Sequence, residues 1–129
     1  MLRSVLLVAS FLFLFQGIGF LIRTSSWEIG LCNTAGPFGI SVPNVLFEAA
    51  LIGILVAFFA VWWKNRDGAY SFVWLILLSA GMSNFFERVY FCCVFDYITL
   101  PWWPVCNAAD VTLFVSVVFL VWKEYALPE

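Results

Sequence analysis

Histidine is absent from the 129 residues, and charge is scarce: six Lys or Arg and eight Asp or Glu make up 11% of the chain. Without an imidazole, neither a His-ligated zinc site nor a His general base can be assembled. A water-soluble domain has roughly a quarter of its residues charged. So thin a supply excludes a soluble enzyme, a disordered chain and a nucleic-acid binder built on a basic face. Also missing are a Cys-x-x-Cys pair, a glycine-rich phosphate loop, a haem or flavin signature, internal repeats and low-complexity tracts. No metal and no cofactor is expected.

What is present is apolar: 64% of the residues are hydrophobic, 20% are aromatic, and the mean hydropathy is +1.02. These are values for a protein whose solvent is a bilayer. The apolar runs are long and continuous rather than alternating, so spanning helices are expected rather than a barrel. Four are placed, at about 4–22, 45–63, 69–88 and 107–123, forming one all-α integral-membrane domain over residues 1–129. The first run follows Arg3 as a secretory signal would. It is longer than an ordinary signal core and no small-x-small site follows it, so an uncleaved helix is expected. Basic residues in short loops set orientation. Arg3, Lys64, Arg66 and Lys123 fall on one side, Arg23 and Arg88 on the other. Both termini are expected in the cytoplasm, with the longer connections 24–44 and 88–106 facing outward. Most of the aromatic residues are assigned to the lipid-facing surface and the interfacial belt.

Ionisable groups at membrane depth cost roughly 2.5–3.5 kcal/mol each on insertion scales, so each needs a reason. Asn84 and Arg88 lie four apart near the outer end of the third run, after the small residues Ser79, Ala80 and Gly81. Helix packing and a snorkelling arginine explain them when they are taken alone. Asp96 follows in an otherwise apolar segment. Asn107 and Asp110 open the fourth run at N-cap and N3 spacing, which suits helix capping. Capping leaves unexplained why an acid lies at the start of a membrane helix, so Asp110 is expected to point into the bundle. Two carboxylates thus converge on the outer region. If they approach closely they share one proton, and such a pair can activate water while polarising a carbonyl. Glu48, in the second run, is expected to snorkel toward the interface and is not placed in the site.

These residues resemble the bacterial lipoprotein signal peptidases, or signal peptidase II family. The family motif Asn-x-x-Asp-Arg is matched by Asn84-Phe85-Phe86-Glu87-Arg88, and Val-x-Asp-Phe-Ile by Val94-Phe95-Asp96-Tyr97-Ile98. Trp-Pro-x-Phe-Asn-x-Ala-Asp is matched by Trp103-Pro104-Val105-Cys106-Asn107-Ala108-Ala109-Asp110, and Asn33, Phe38 and Gly39 agree with an upstream motif. The resemblance implies an aspartyl endopeptidase of the bacterial inner membrane, working as a monomer with its active site near the outer face. It would cleave the signal peptide of a prolipoprotein before a cysteine carrying diacylglycerol. Its partners would be that substrate and membrane lipids. By matching position, Asp96 and Asp110 become the catalytic pair, and Asn33, Asn84, Arg88 and Asn107 become substrate-binding or dyad-supporting groups. A small extracytoplasmic β-cradle is implied for the first outer loop, 24–44. The chain departs from the family in Glu87, which stands for Asp and is one methylene longer, a change expected to shift its contacts to Arg88. It departs also in Cys106, which stands for an aromatic residue, and in a first helix without its own acid–base pair.

Cys32, Cys92, Cys93 and Cys106 all fall on the outer side, where disulfides are permitted. Adjacent Cys92 and Cys93 are poorly placed to join each other, and the other pairings stay open. Two rival functions are a non-catalytic relative that binds lipidated peptides and a membrane thiol oxidoreductase. Under the peptidase reading, replacing all four cysteines by serine should leave cleavage largely intact.

Overall fold

A computed structural model describes residues 2–25, 29–35 and 44–126. Four helices dominate it: α1 (Leu2–Thr24), α2 (Asn44–Lys64), α3 (Ser71–Phe91) and α4 (Ala108–Ala126). Four short strands lie between them: β1 (Leu31–Asn33), β2 (Val94–Asp96), β3 (Ile98–Leu100) and β4 (Trp103–Cys106). Each helix overlaps an expected run. The largest difference is at α3, which starts two residues later than expected and continues past Arg88 to Phe91, where Cys92 ends it in a left-handed conformation at φ 58°. Arg88 is therefore held on the helix by its last turn.

The helix α3 is the hub, packed against α1, α2 and α4. Its sequence explains why. Ser79, Ala80 and Gly81 are buried small residues, and a Cβ on Gly81 would stand 2.8 Å from a Leu55 methyl of α2. Backbones approach closely only where side chains are that small. On α1, Gly19 plays the same part, with a Cβ there lying 3.3 Å from Glu87 Oε1. Gln16, the one strongly polar residue of the first run, donates to Ser83 Oγ at 2.9 Å and to Ser83 O at 3.1 Å. An amide that would be costly in lipid thus finds both partners on α3.

Leu6, Phe13 and Phe20 of α1 and Val56 and Phe59 of α2 are exposed, an arrangement that needs an apolar solvent. Three helices, α1, α2 and α3, are long and apolar enough to cross a membrane. The fourth, α4, has 19 residues and carries Asp110, Lys123 and Glu124 among them.

The β structure is distributed differently from the expected cradle. Among the described residues of 24–44, β1 is the only strand, and residues 26–28 and 36–43 lie outside the description. The other three strands arise in the connection between α3 and α4. There β1 pairs antiparallel with β2 (Leu31↔Asp96, Cys32↔Phe95, Asn33↔Val94), and β3 pairs with β4 with an irregular register. A disulfide joins Cys32 to Cys93, with Cα atoms 5.5 Å apart. Cys92 and Cys106 are free.

Candidate active site

The last two turns of α3, the strand β2 and the first turn of α4 meet at one end of the bundle, and β1 closes over them. Each contributes a polar side chain that its local structure fixes.

Asn107 is the N-cap of α4. Its Oδ1 accepts from Asp110 N at 3.0 Å, while Asp110 Oδ2 accepts from Asn107 N at 3.1 Å. This reciprocal pair satisfies two of the amides that a helix start leaves orphaned. Because Oδ1 is committed to the cap, Asn107 Nδ2 must face the other way. It donates to Asn84 Oδ1 at 3.0 Å and to Asp96 Oδ1 at 3.2 Å. With its oxygen occupied, Asn84 turns Nδ2 to Asp110 Oδ1 at 2.7 Å. From β1, Asn33 donates to Asp96 Oδ2 at 2.8 Å and accepts from Ala35 N at 3.0 Å. Each carboxyl group therefore receives two N–H donors, and two asparagines, Asn84 and Asn107, connect them.

Capping and convergence thus hold together: Asp110 completes the helix cap with one oxygen and joins the network with the other. Asp96 is 3% exposed. Burial pushes its pKa up to about 6, opposed by the hydrogen bond from Asn33, reinforced by the nearby negative charge of Asp110, opposed again by Asn107 and reinforced by Glu87. Both carboxyl groups line a groove of about 650 Å³ whose apolar walls include Phe47 and Leu51 of α2 and Phe114 and Val117 of α4. A few convergent polar groups in an apolar groove of that size make it the candidate binding site.

Arg88 lines the same groove, but its hydrogen bonds go elsewhere. It donates to Ala35 O at 2.9 Å and Thr34 O at 3.5 Å, and its guanidinium lies over the Phe47 ring at 4.4 Å. It touches Asp96 and Asp110 only through their field, as it does Glu48. Glu48 is half-buried and acts electrostatically on Arg88.

The contacts of Glu87 are to Phe95 and Arg23 rather than to its neighbour Arg88. The Glu87 side chain is buried, accepts from Phe95 N at 2.7 Å through Oε2, and faces Arg23 Nη2 at 3.8 Å. The Arg23 guanidinium lies over Phe91 at 4.3 Å and Phe95 at 4.7 Å. Although α1 lacks an acid–base pair of its own, its Arg23 finds its acid on α3. Glu87 thereby fixes the backbone immediately before Asp96. Tyr97 was also missed; its hydroxyl oxygen accepts from Ala108 N at 3.2 Å and steadies the start of α4. Both side chains flank Asp96 or its neighbours in sequence, and membrane cost alone marks a buried Glu as needing a partner. Cys106 is buried beside the groove, and burial with the charges of Asp110 and Asp96 pushes its thiol up, away from the reactive thiolate. Phe38 and Gly39 lie outside the described residues.

A sequence model of the family described as signal peptidase (SPase) II matches residues 7–126. The lipoprotein signal peptidase of Thermodesulfovibrio yellowstonii is 26% identical over 78 residues, covering 57% of this chain and 53% of that protein. That of Syntrophomonas wolfei is 26% identical over 91 residues, covering 69% of this chain and 61% of that protein. The matched part thus spans between half and two thirds of these curated relatives. Two solved structures described as bacterial membrane enzymes share the fold. One has a TM-score of 0.73 at 18% identity over 100% of this chain and 93% of that one. The other has a TM-score of 0.76 at 19% identity over 99% and 96%.

Proposed function

The chain belongs to the signal peptidase II family, and from that premise we propose that it is an aspartyl endopeptidase acting on prolipoproteins. It removes the signal peptide before a cysteine that carries diacylglycerol. The observation that carries this reading is the pair Asp96 and Asp110, joined through Asn84 and Asn107 at the wall of an apolar groove. In this reading α4 is a fourth membrane crossing, both termini are cytoplasmic, and the site faces the outer leaflet of the bacterial inner membrane. The β strands then form an extracytoplasmic cradle built from both outer connections, and the monomer is sufficient.

The chemistry follows from the two environments. Asp110 takes N–H bonds on both oxygens, one from a helix-start amide, and a helix start favours the charged form. It is the base. Asp96, pushed up to about 6 by burial, is assigned the single proton the pair shares, and a substrate covering it removes more water and strengthens that hold. A water between them gives a proton to Asp110 as its oxygen bonds the scissile carbonyl carbon. The carbonyl oxygen takes the proton of Asp96. Collapse of the resulting diol breaks the C–N bond, the leaving nitrogen receives the proton from Asp110, and Asp96 regains its own. Arg88 on α3 and Asn33 on β1, both lining the groove, orient the peptide backbone. The acyl chains lie along the apolar walls, entering sideways from the bilayer.

The test is incubation of the purified chain with a diacylglyceryl-modified prolipoprotein and with the same protein unmodified. Release of the signal peptide from the modified form, and much less from the other, is the expected result. A folded chain that binds the lipidated substrate without cutting it would overturn the peptidase reading in favour of a binder.

A further inference from the structure

The peptidase chemistry makes no use of the bond between Cys32 and Cys93, yet that bond stands next to it. Cys32 is the central residue of β1 and precedes Asn33; Cys93 is the residue before β2, which ends at Asp96. A two-stranded ladder of three-residue strands is marginal on its own. The strand β1 also buries little, since Leu31 and Cys32 are exposed. Cys93, by contrast, is 2% exposed and anchored in the core beside α3. The disulfide therefore ties an exposed strand to a buried one across 61 residues of sequence. It does so one residue from the side chain that donates to Asp96 Oδ2 at 2.8 Å.

We propose that the Cys32–Cys93 cystine is a positioning crosslink of the active site, keeping β1 on β2 so that Asn33 stays on Asp96. Reduction of it lowers peptidase activity. The reductant is a dithiol: two electrons and two protons pass to the cystine, leaving two thiols, and the dithiol becomes a disulfide. This inference rests on the peptidase reading and departs from the expectation that all four cysteines are dispensable. The other groups facing Asp96 come from elements the disulfide does not hold: Glu87 and Arg88 from α3, Cys106 from β4, and Asn107 and Asp110 at the start of α4. Asn33 is the group that β1 supplies, and its N–H favours the charged carboxylate, so its departure raises the Asp96 pKa.

The experiment uses Cys92→Ser protein, which removes the exposed thiol adjacent to Cys93 and with it disulfide exchange. Cleavage rate and the infrared titration of the Asp96 carboxyl, assigned by its loss in Asp96→Asn, are measured before and after dithiothreitol treatment of the folded protein. We expect reduction to slow cleavage about tenfold and to move the Asp96 midpoint upward by about one pH unit. Serine at both Cys32 and Cys93 should reproduce this, and in Asn33→Ala protein reduction should add nothing further. An unchanged rate and midpoint on reduction would overturn the proposal. If the oxidised protein does not cleave at all, the peptidase reading falls, while the infrared midpoint still decides whether the crosslink positions Asn33.

Discussion

Replacing Asp96 by asparagine should make the protein more stable at neutral pH while abolishing its activity. In the folded state the Asp96 pKa lies at about 6, against an ordinary value of 3.8. Its folded pKa is raised, so the stability it contributes is complete below pH 4 and is lost as pH rises through 6. The two-unit shift corresponds to about 3 kcal/mol at pH 7.5. Asparagine escapes that cost but keeps one acceptor oxygen where the carboxylate has two. It forfeits the bond from either Asn33 or Asn107, worth about 1.5 kcal/mol. The net expectation is a gain of about 1–2 kcal/mol at pH 7.5 that reverses sign by pH 4. Seven tryptophans make intrinsic fluorescence a direct probe of thermal unfolding in detergent. The quantity to follow is the midpoint difference between wild type and Asp96→Asn across pH, in which titrations common to both cancel. A difference that stays flat with pH, or a variant less stable at pH 7.5, would refute the argument that burial raises this carboxyl.

Other positions give sharp expectations. Glu87→Ala strands the buried Phe95 amide and removes the acid facing Arg23, and should cost about 2–3 kcal/mol by the same unfolding assay. Gly30 sits at φ 112°, and a Cβ there would come within 2.6 Å of the Phe95 ring, so Gly30→Ala should displace Phe95 and reduce cleavage more than it reduces expression. Asn107→Ala removes the cap of α4 and the donor to Asp96 together. It should lose about 1–2 kcal/mol of stability and most of the cleavage rate, whereas the cap-competent Asn107→Ser should recover stability alone.

The four helices were legible in the sequence because bilayer-length apolar runs leave few alternatives. So was the site's backbone of asparagines and acids, since a polar residue in such a run must be explained. Asn107 and Asp110 were even legible as a cap. What escaped were contacts between distant segments. Arg23 looked like an outer basic residue, and its pairing with Glu87 across α1 and α3 leaves no local pattern. The β-branched and aromatic residues of Val94-Phe95-Asp96-Tyr97-Ile98, with Pro101 beyond them, carried a strand-and-turn signal. Strands of three residues are too short for periodicity to stand out. Four cysteines on one side allowed several pairings, and only the register of β1 on β2 brings Cys32 to Cys93.

The dyad itself is tested most directly by single-turnover cleavage of the diacylglyceryl substrate with wild type, Asp96→Asn and Asp110→Asn, each confirmed folded by its unfolding transition. The account predicts that each substitution alone slows cleavage by about 10³-fold or more, because neither carboxyl group can share the proton with an amide. Near wild-type cleavage by either variant would contradict it.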